Sequence, residues 1–505
     1  MEDFVSYKYC WLRRVTVWPH TPVIAIAFLL GVGLKRRYLS SLRDIPGPFL
    51  ASCTIGWQLY HLIKGHTEVE IVKLHRQHGD FVRIADNEVS VAHPDAVKQL
   101  LMSQLPKGPW YSIFSFPDYN HVNLMSELDP KRHITMMRNV SAGYALSNII
   151  KSEPYVDACL ALLESQFDDL CKAGKAVEFD KWFNFFGFDV VGEVTFSSRF
   201  GFLDSSTDVG NAIANSKALG LYISIMGHFI WLHDLTLGNP VLAKLGIQPT
   251  SHITETCRSA INTRKGNIEA RKDMMEEWMS MRSKFPERMD ESEITAAAVV
   301  NIGAGADTVS STLQGFFYWL LRSPNHLKRL RDEIDNAQVK GLLSPIVAYS
   351  EAQKLPFLQA CIKETYRFHT AVGTGLPRVV PKGGITVGSR HFKEGTILSV
   401  NPWAFHRNAL LFGEDCDTFN PERWLESEQR YKAMDRFLIH WGAGYNQCPG
   451  KNLAHFEISK AAATLVRDYD IEQVNPDQEW RFETHFTLIP YEWPCRVKRR
   501  EAGVV

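Results

Sequence analysis

Apolar residues recur at the three- and four-residue spacing of a helix over Glu153 to Ala173, Phe183 to Thr195, Ser251 to Met281, Asp290 to Arg322 and Pro324 to Asn336. The shorter alternation of a strand appears nearer the two ends, at Phe81-Val82-Arg83-Ile84, Ile385-Thr386-Val387 and Ile397-Leu398-Ser399-Val400. This pattern predicts a mainly α fold with a small antiparallel β part. No internal repeat or low-complexity tract interrupts it, so residues 51–505 are read as one large domain.

The amino terminus departs from this amphipathic texture. Val15 to Leu34 carries no charge, and Val23 to Leu34 is continuously apolar or glycine. Twenty residues in a helix would just cross a hydrocarbon layer of about 30 Å. The inner run also suits a secretory h-region, or a buried core helix. Lys35, Arg36 and Arg37 follow at once, where a cleavage site would offer small residues, and this favours an anchor. Basic residues on the two sides nearly balance, with Lys8, Arg13 and Arg14 before the run and Lys35, Arg36, Arg37 and Arg43 after it. The expected organisation is a short tail (1–14), a transmembrane anchor (15–34), a basic and proline-rich hinge (35–50) and one large domain (51–505). Pro46-Gly47-Pro48 makes the end of that hinge stiff and extended.

Composition narrows the function. Lys plus Arg and Asp plus Glu both number 56, a balance that argues against a nucleic-acid binder. Nine cysteines in 505 residues, none in a C-x-x-C, suit a reduced chain rather than a disulfide scaffold. No strand leads into G-x-G-x-x-G, and the P-loop-like stretch Gly444 to Lys451 has the wrong spacing and ends before Asn452.

One cysteine stands apart. In Trp441-Gly-Ala-Gly-Tyr-Asn-Gln-Cys448-Pro-Gly-Lys451 the thiol sits among glycines ahead of a helix, with Pro449 suited to its first position. Backbone N–H groups and the helix dipole there stabilise thiolate, and the glycines leave room for a flat ligand. A buried structural cysteine would explain this segment equally well in isolation. Gly303 and Gly305 inside an apolar helix each cost about 1 kcal/mol relative to alanine. Thr308 can bond the carbonyl of Ala304, so a notch lined by Thr308 and Asp307 would hold a small polar ligand and relay protons. The bland account is a helix crossing made by small residues. Glu364-x-x-Arg367 and Phe419-Asn420-Pro421-Glu422-Arg423-Trp424 alone would be an ordinary ion pair and an ordinary loop.

Together and in this order, the four segments resemble the cytochrome P-450 superfamily of haem-thiolate monooxygenases, over nearly the whole chain. LPRVVPKGG and FDVVGEVTF look like filamentous-fungal, membrane-bound members of secondary metabolism. The resemblance implies that Cys448 is the axial thiolate ligand of haem b iron, and that Asp307 and Thr308 deliver protons during dioxygen activation. It implies that Glu364, Arg367 and Arg423 form a buried structural triad. It also implies electrons from an NADPH–cytochrome reductase, an endoplasmic reticulum membrane location with the domain facing the cytosol, and a hydrophobic small-molecule substrate. Lys131, Arg132, Lys432 and Lys451 are candidates for the reductase patch. Trp110 to Tyr119, Leu219 to Trp231, Ala296 to Ala304, Ala371 to Gly375 and His485 to Leu488 are candidates for the substrate site.

Two departures matter. Asn446 stands where the family carries arginine two residues before the cysteine, and His133 stands in place of a tryptophan, with Arg138 one place late for W-x-x-x-R. Both arginines normally hold the haem carboxylates, which leaves His133, Arg378 and Arg138 as candidate partners. Trp441 keeps an aromatic ring near the sulfur. Haem retention is expected to be poor unless another cation substitutes. A reductase-independent enzyme rearranging a peroxide is the alternative, less favoured because such relatives often lack the acid–alcohol pair. A non-catalytic haem-binding protein is the third reading.

Overall fold

The computed structural model describes residues 21–246, 251–265 and 271–501. Its longer helices are α1 (Thr21–Tyr38), α2 (Pro130–Val140), α3 (Glu153–Lys172), α4 (Phe179–Phe196), α5 (Ala212–Met226), α6 (Ser251–Lys265), α7 (Met274–Lys284), α8 (Glu291–Leu321), α9 (Pro324–Val339), α10 (Pro356–Phe368) and α11 (Lys451–Asp468). The main core is built around α8, which packs against α4, α6, α10 and α11. Helix α8 starts at a capping box between Asp290 and Glu293. Most of α4 is buried on every side, which is why its sequence is apolar all round rather than striped.

The expected helix from Ser251 to Met281 is two helices instead. Asp273 caps the second, its carboxylate accepting the Glu276 N–H at 2.9 Å.

The main sheet has the order β1 (Phe81–Ala85), β2 (Glu88–Val91), β6 (Ile397–Val400), β3 (Leu376–Val379). Hairpins β4 (Ile385–Val387) with β5 (Arg390–Phe392) and β8 (Arg481–His485) with β9 (Thr487–Tyr491), and the pair β7 (Tyr469–Gln473) with β10 (Cys495–Arg499), complete the β part. The sheet is mixed rather than wholly antiparallel, because β2 runs parallel to β6. Those strands lie some 300 residues apart, and local alternation carries no information about their relative direction.

Residues 15–20 of the expected anchor lie outside the described residues. Helix α1 follows, with Val23, Ile24, Ile26, Phe28, Leu29 and Leu30 exposed. Among the described residues no helix is long and apolar enough to cross a membrane. Residues 21–34 span about 21 Å before the basic run begins. The hinge is bound to the domain, since the Arg83 N–H donates to the Pro46 carbonyl at 2.8 Å and Leu42 and Ile45 are buried. A Cβ on Gly47 would stand 2.3 Å from the Arg83 carbonyl oxygen.

Candidate functional site

Cys448 sits at the end of a loop that closes on itself, its N–H donating to the Trp441 carbonyl at 2.8 Å. Gly444 lets the turn pass: it has φ +65°, and a Cβ there would meet the Leu101 carbonyl oxygen at 2.5 Å. Cys448 is half-buried as a residue, and its thiol receives the N–H groups of Gly450 and Lys451, as expected for the start of α11. Burial nonetheless outweighs them and raises its pKa. Trp441 packs on Tyr366 with ring centroids 5.1 Å apart.

A buried network stands behind this loop. Arg367 donates to Glu364 from Nε at 2.9 Å and Nη2 at 2.6 Å, and Arg423 Nε donates to the same carboxylate at 3.2 Å. All three side chains are fully buried. Arg367 Nη1 also donates to the His406 carbonyl at 3.0 Å, and His406 Nε2 accepts the Ile439 N–H at 2.9 Å, two residues before Trp441. Burial lowers the His406 pKa to about 3, so the ring is neutral and can accept that bond. Arg423 is thus an interior residue rather than the cation of an ordinary loop.

On α8, the Thr308 hydroxyl donates to the Ala304 carbonyl at 2.8 Å. The two glycines have different tasks. Gly305 lies where a Cβ would stand 2.5 Å from Val191 Cγ2, so it is the close helix crossing with α4. Gly303 has nothing within 4 Å of that position, and with Ala304 it is exposed midway along a core helix. These open positions lie one turn before Asp307 and Thr308, so the acid–alcohol pair borders an accessible strip. Asp307 is buried and accepts a 2.5 Å hydrogen bond from Ser216 of α5, and burial raises its carboxyl to about 6.

Four of the five segments expected to face substrate meet in an aromatic cluster, which forms a roof. Trp110, Phe114 and Phe486 lie 5.3–5.7 Å apart, centroid to centroid. Gly227 abuts Trp110, and the Gly373 N–H donates to the Phe486 carbonyl at 3.1 Å. The fifth segment belongs to α8, which packs on β9.

The three candidates for carboxylate binding separate. Arg378 and His133 are buried, and the Arg378 charge acts on His133, Tyr111 and Tyr445. Arg138 is on the exposed side of α2, because five residues after His133 turn the helix by about 140°. A further cation joins the buried pair: Lys107, 4% exposed, forms a β-bridge with Arg378. Sequence reasoning missed it, since a lone lysine after a proline looks like a loop residue. Ser216 was missed for a similar reason, being the middle of an ordinary polar stretch, Asn215-Ser216-Lys217, on an otherwise mostly apolar helix.

Comparison with known proteins agrees with this geometry. The family model described as Cytochrome P450 matches residues 46–493. The chain is 33% identical over 481 residues to cytochrome P450 monooxygenase cicH of Emericella nidulans, covering 91% of this chain and 94% of that one. It is 31% identical over 490 residues to a pisatin demethylase of Fusarium vanettenii, covering 95% and 93% respectively. Cytochrome P450 monooxygenase gsfF of Penicillium aethiopicum is 31% identical over 479 residues, covering 92% and 95%.

Proposed function

The chain belongs to the cytochrome P450 family, and from that premise we propose a reductase-fed haem b monooxygenase that inserts one atom of dioxygen into a hydrophobic metabolite of fungal secondary metabolism. That the protein is an oxidoreductase of the P450 monooxygenase kind follows from similarity along nearly its whole length. The reading is carried by Cys448, a thiol under two backbone N–H groups at the start of α11.

The residues present fit a haem. Cys448 offers the iron ligand. Around Arg378 lie buried nitrogens with no protein partner, namely Arg378 Nε, His133 Nδ1 and Asn446 Nδ2, and such donors suit a carboxylate. When bound, the haem would supply dioxygen activation, with Cys448 as its thiolate ligand and Arg378 and His133 beside its carboxylates.

The remaining work falls to the chain's own side chains. Thr308 Oγ1 accepts a hydrogen bond, and so holds a proton-bearing group, beside the accessible strip of α8, while its own O–H donated to Ala304 fixes the rotamer. Asp307, with its carboxyl near 6, exchanges protons close to neutral pH, and Ser216 holds its oxygen. Trp110, Phe114 and Phe486 bind an apolar substrate and exclude water above it. Exposed Lys131 and Arg132 at the start of α2 support a docking face for an NADPH–cytochrome reductase. The apolar face of α1, ahead of Lys35 to Arg37, supports an endoplasmic reticulum anchor over 15–34 with the domain in the cytosol.

The test is spectral and then chemical. The reduced, carbon-monoxide-bound protein should show the thiolate-type Soret band, and Cys448→Ser should lose it. Candidate metabolites supplied with reductase and NADPH should then yield oxygenated products with NADPH consumption. Turnover of a peroxide without reductase would favour the rearranging enzyme, and absence of the band in wild type would end the haem-thiolate reading.

A further inference from the structure

Lys107 and Arg378 face each other across two antiparallel segments. The Gly108 N–H donates to the Pro377 carbonyl at 3.0 Å and the Val379 N–H to the Pro106 carbonyl at 2.9 Å. These bonds flank the pair 107–378, which is therefore a non-hydrogen-bonded pair, the register in which opposed side chains share a face and approach most closely. Both side chains are almost wholly buried, at 4% and 2% exposure. Two like charges directly opposite destabilise a sheet, and burying them unpaired adds a desolvation cost. Among the described residues neither makes an ion pair. Glu127, the carboxylate that acts on Lys107, is itself held by Arg132 at 3.2 Å.

The donors around this pair are short of acceptors. The Lys107 ammonium has three protons and donates to the Leu124 carbonyl at 2.6 Å and the Met125 carbonyl at 2.9 Å, which leaves one. Arg378 donates from Nη1 to its neighbour's carbonyl at 2.9 Å, while its Nε has no partner. His133 Nδ1 and Asn446 Nδ2 are also buried without partners, and the His133 ring lies 5.2 Å from that of Tyr445. As it stands, burial and the Arg378 charge push Lys107 down to about 7. An anion between the two cations would reverse that shift.

We infer that Lys107, paired with Arg378, binds a carboxylate of the haem in place of the two arginines this chain lacks, and that its bonds to Leu124 and Met125 tie the substrate roof to the cofactor. The link to the roof runs through Asn123, whose Nδ2 donates to the Phe114 carbonyl at 2.6 Å. One ammonium thus serves the haem edge and the loop that carries the roof. The inference rests on the haem-thiolate reading.

The experiment measures haem transfer from the full-length holoprotein to excess apomyoglobin, for wild type, Lys107→Met, Lys107→Arg and the exposed control Lys328→Met. Losing one charge-assisted bond should speed release by about tenfold or more in Lys107→Met. Lys107→Arg and Lys328→Met should remain close to wild type. A second arm uses haem dimethyl ester, which lacks the carboxylates. Wild type loaded with the ester should release it at least as fast as Lys107→Met releases haem, because the ester loses the Arg378 contact too, and the ester's effect should be clearly smaller in Lys107→Met than in wild type. Hydrogen exchange at 121–127 should be slower in wild-type holoprotein than in apoprotein, and this difference should shrink in Lys107→Met. Release from Lys107→Met at the wild-type rate overturns the inference. So does a full ester effect persisting in that variant, which would make Lys107 a loop residue alone. Should Lys107→Met not fold, the wild-type ester decides: retention as tight as haem overturns the inference. The thiolate-type band in wild type keeps these failures distinct from failure of the functional reading.

Discussion

Glu364 gathers five hydrogen bonds: two from Arg367, one from Arg423, one from Trp424 Nε1 at 2.9 Å and one from the Asn420 N–H at 2.8 Å. Glu364→Ala removes a fully buried carboxylate from between two fully buried guanidinium groups. Arg423 keeps Asp415, at 2.8 and 2.9 Å. Arg367 keeps only the carbonyls of His406, Cys416 and Thr418, so one buried charge is left without a counter-charge. Breaking such a pair costs about 3–5 kcal/mol. The orphaned indole and amide N–H groups add about 1 kcal/mol or more each. Lys328–Asp332 is the comparison, an i,i+4 pair with side chains 77% and 57% exposed. Asp332→Ala should cost less than about 0.5 kcal/mol. Denaturant unfolding of the holoprotein, followed by tryptophan fluorescence and by the carbon-monoxide-bound band, checks both variants. The band should also weaken in Glu364→Ala, because Arg367 reaches the cysteine loop through His406 and Ile439. Glu364→Gln keeps the shape but not the charge and should behave more like alanine than like wild type. A Glu364→Ala protein as stable as Asp332→Ala would refute the argument from burial.

Thr308→Ala should leave stability within about 1 kcal/mol yet lower product formed per NADPH consumed. The ratio of product to NADPH oxidised is the readout, and an unchanged ratio would remove Thr308 from proton handling. Asp307→Asn tests the raised carboxyl. Burial lifts it from 3.8 to about 6, so ionisation favours the unfolded chain and wild-type stability falls as pH rises from about 4 to about 6. The variant should therefore match wild type near pH 4 and exceed it by up to about 3 kcal/mol at pH 7, measured by unfolding at each pH. A constant difference across that range would contradict the assignment. Gly303→Ala and Gly305→Ala should differ in sign in the apoprotein's thermal unfolding. The first adds a methyl in open space and stabilises the helix by about 1 kcal/mol. The second meets Val191 and costs about 1–3 kcal/mol.

Local chemistry was legible in the sequence wherever one element carries the whole feature. The periodicity of α3, α8 and α9 lies within each helix, and so does the Thr308 bond to Ala304, because four residues complete about one turn. Cys448 announced itself by its glycines and by the helix that follows. The buried triad was expected from the resemblance, and the structure adds its route through His406 to the cysteine loop. What the sequence could not order was anything decided by register or burial between distant segments. The parallel pairing of β2 with β6, the exposed side taken by Arg138 and the task dividing Gly303 from Gly305 are such cases. Lys107 belongs with them. Its role follows from standing opposite Arg378, 271 positions away, with water excluded from both. A lysine's charge belongs to the sequence, but the need for an anion beside it arises only when the fold buries that charge against another of the same sign.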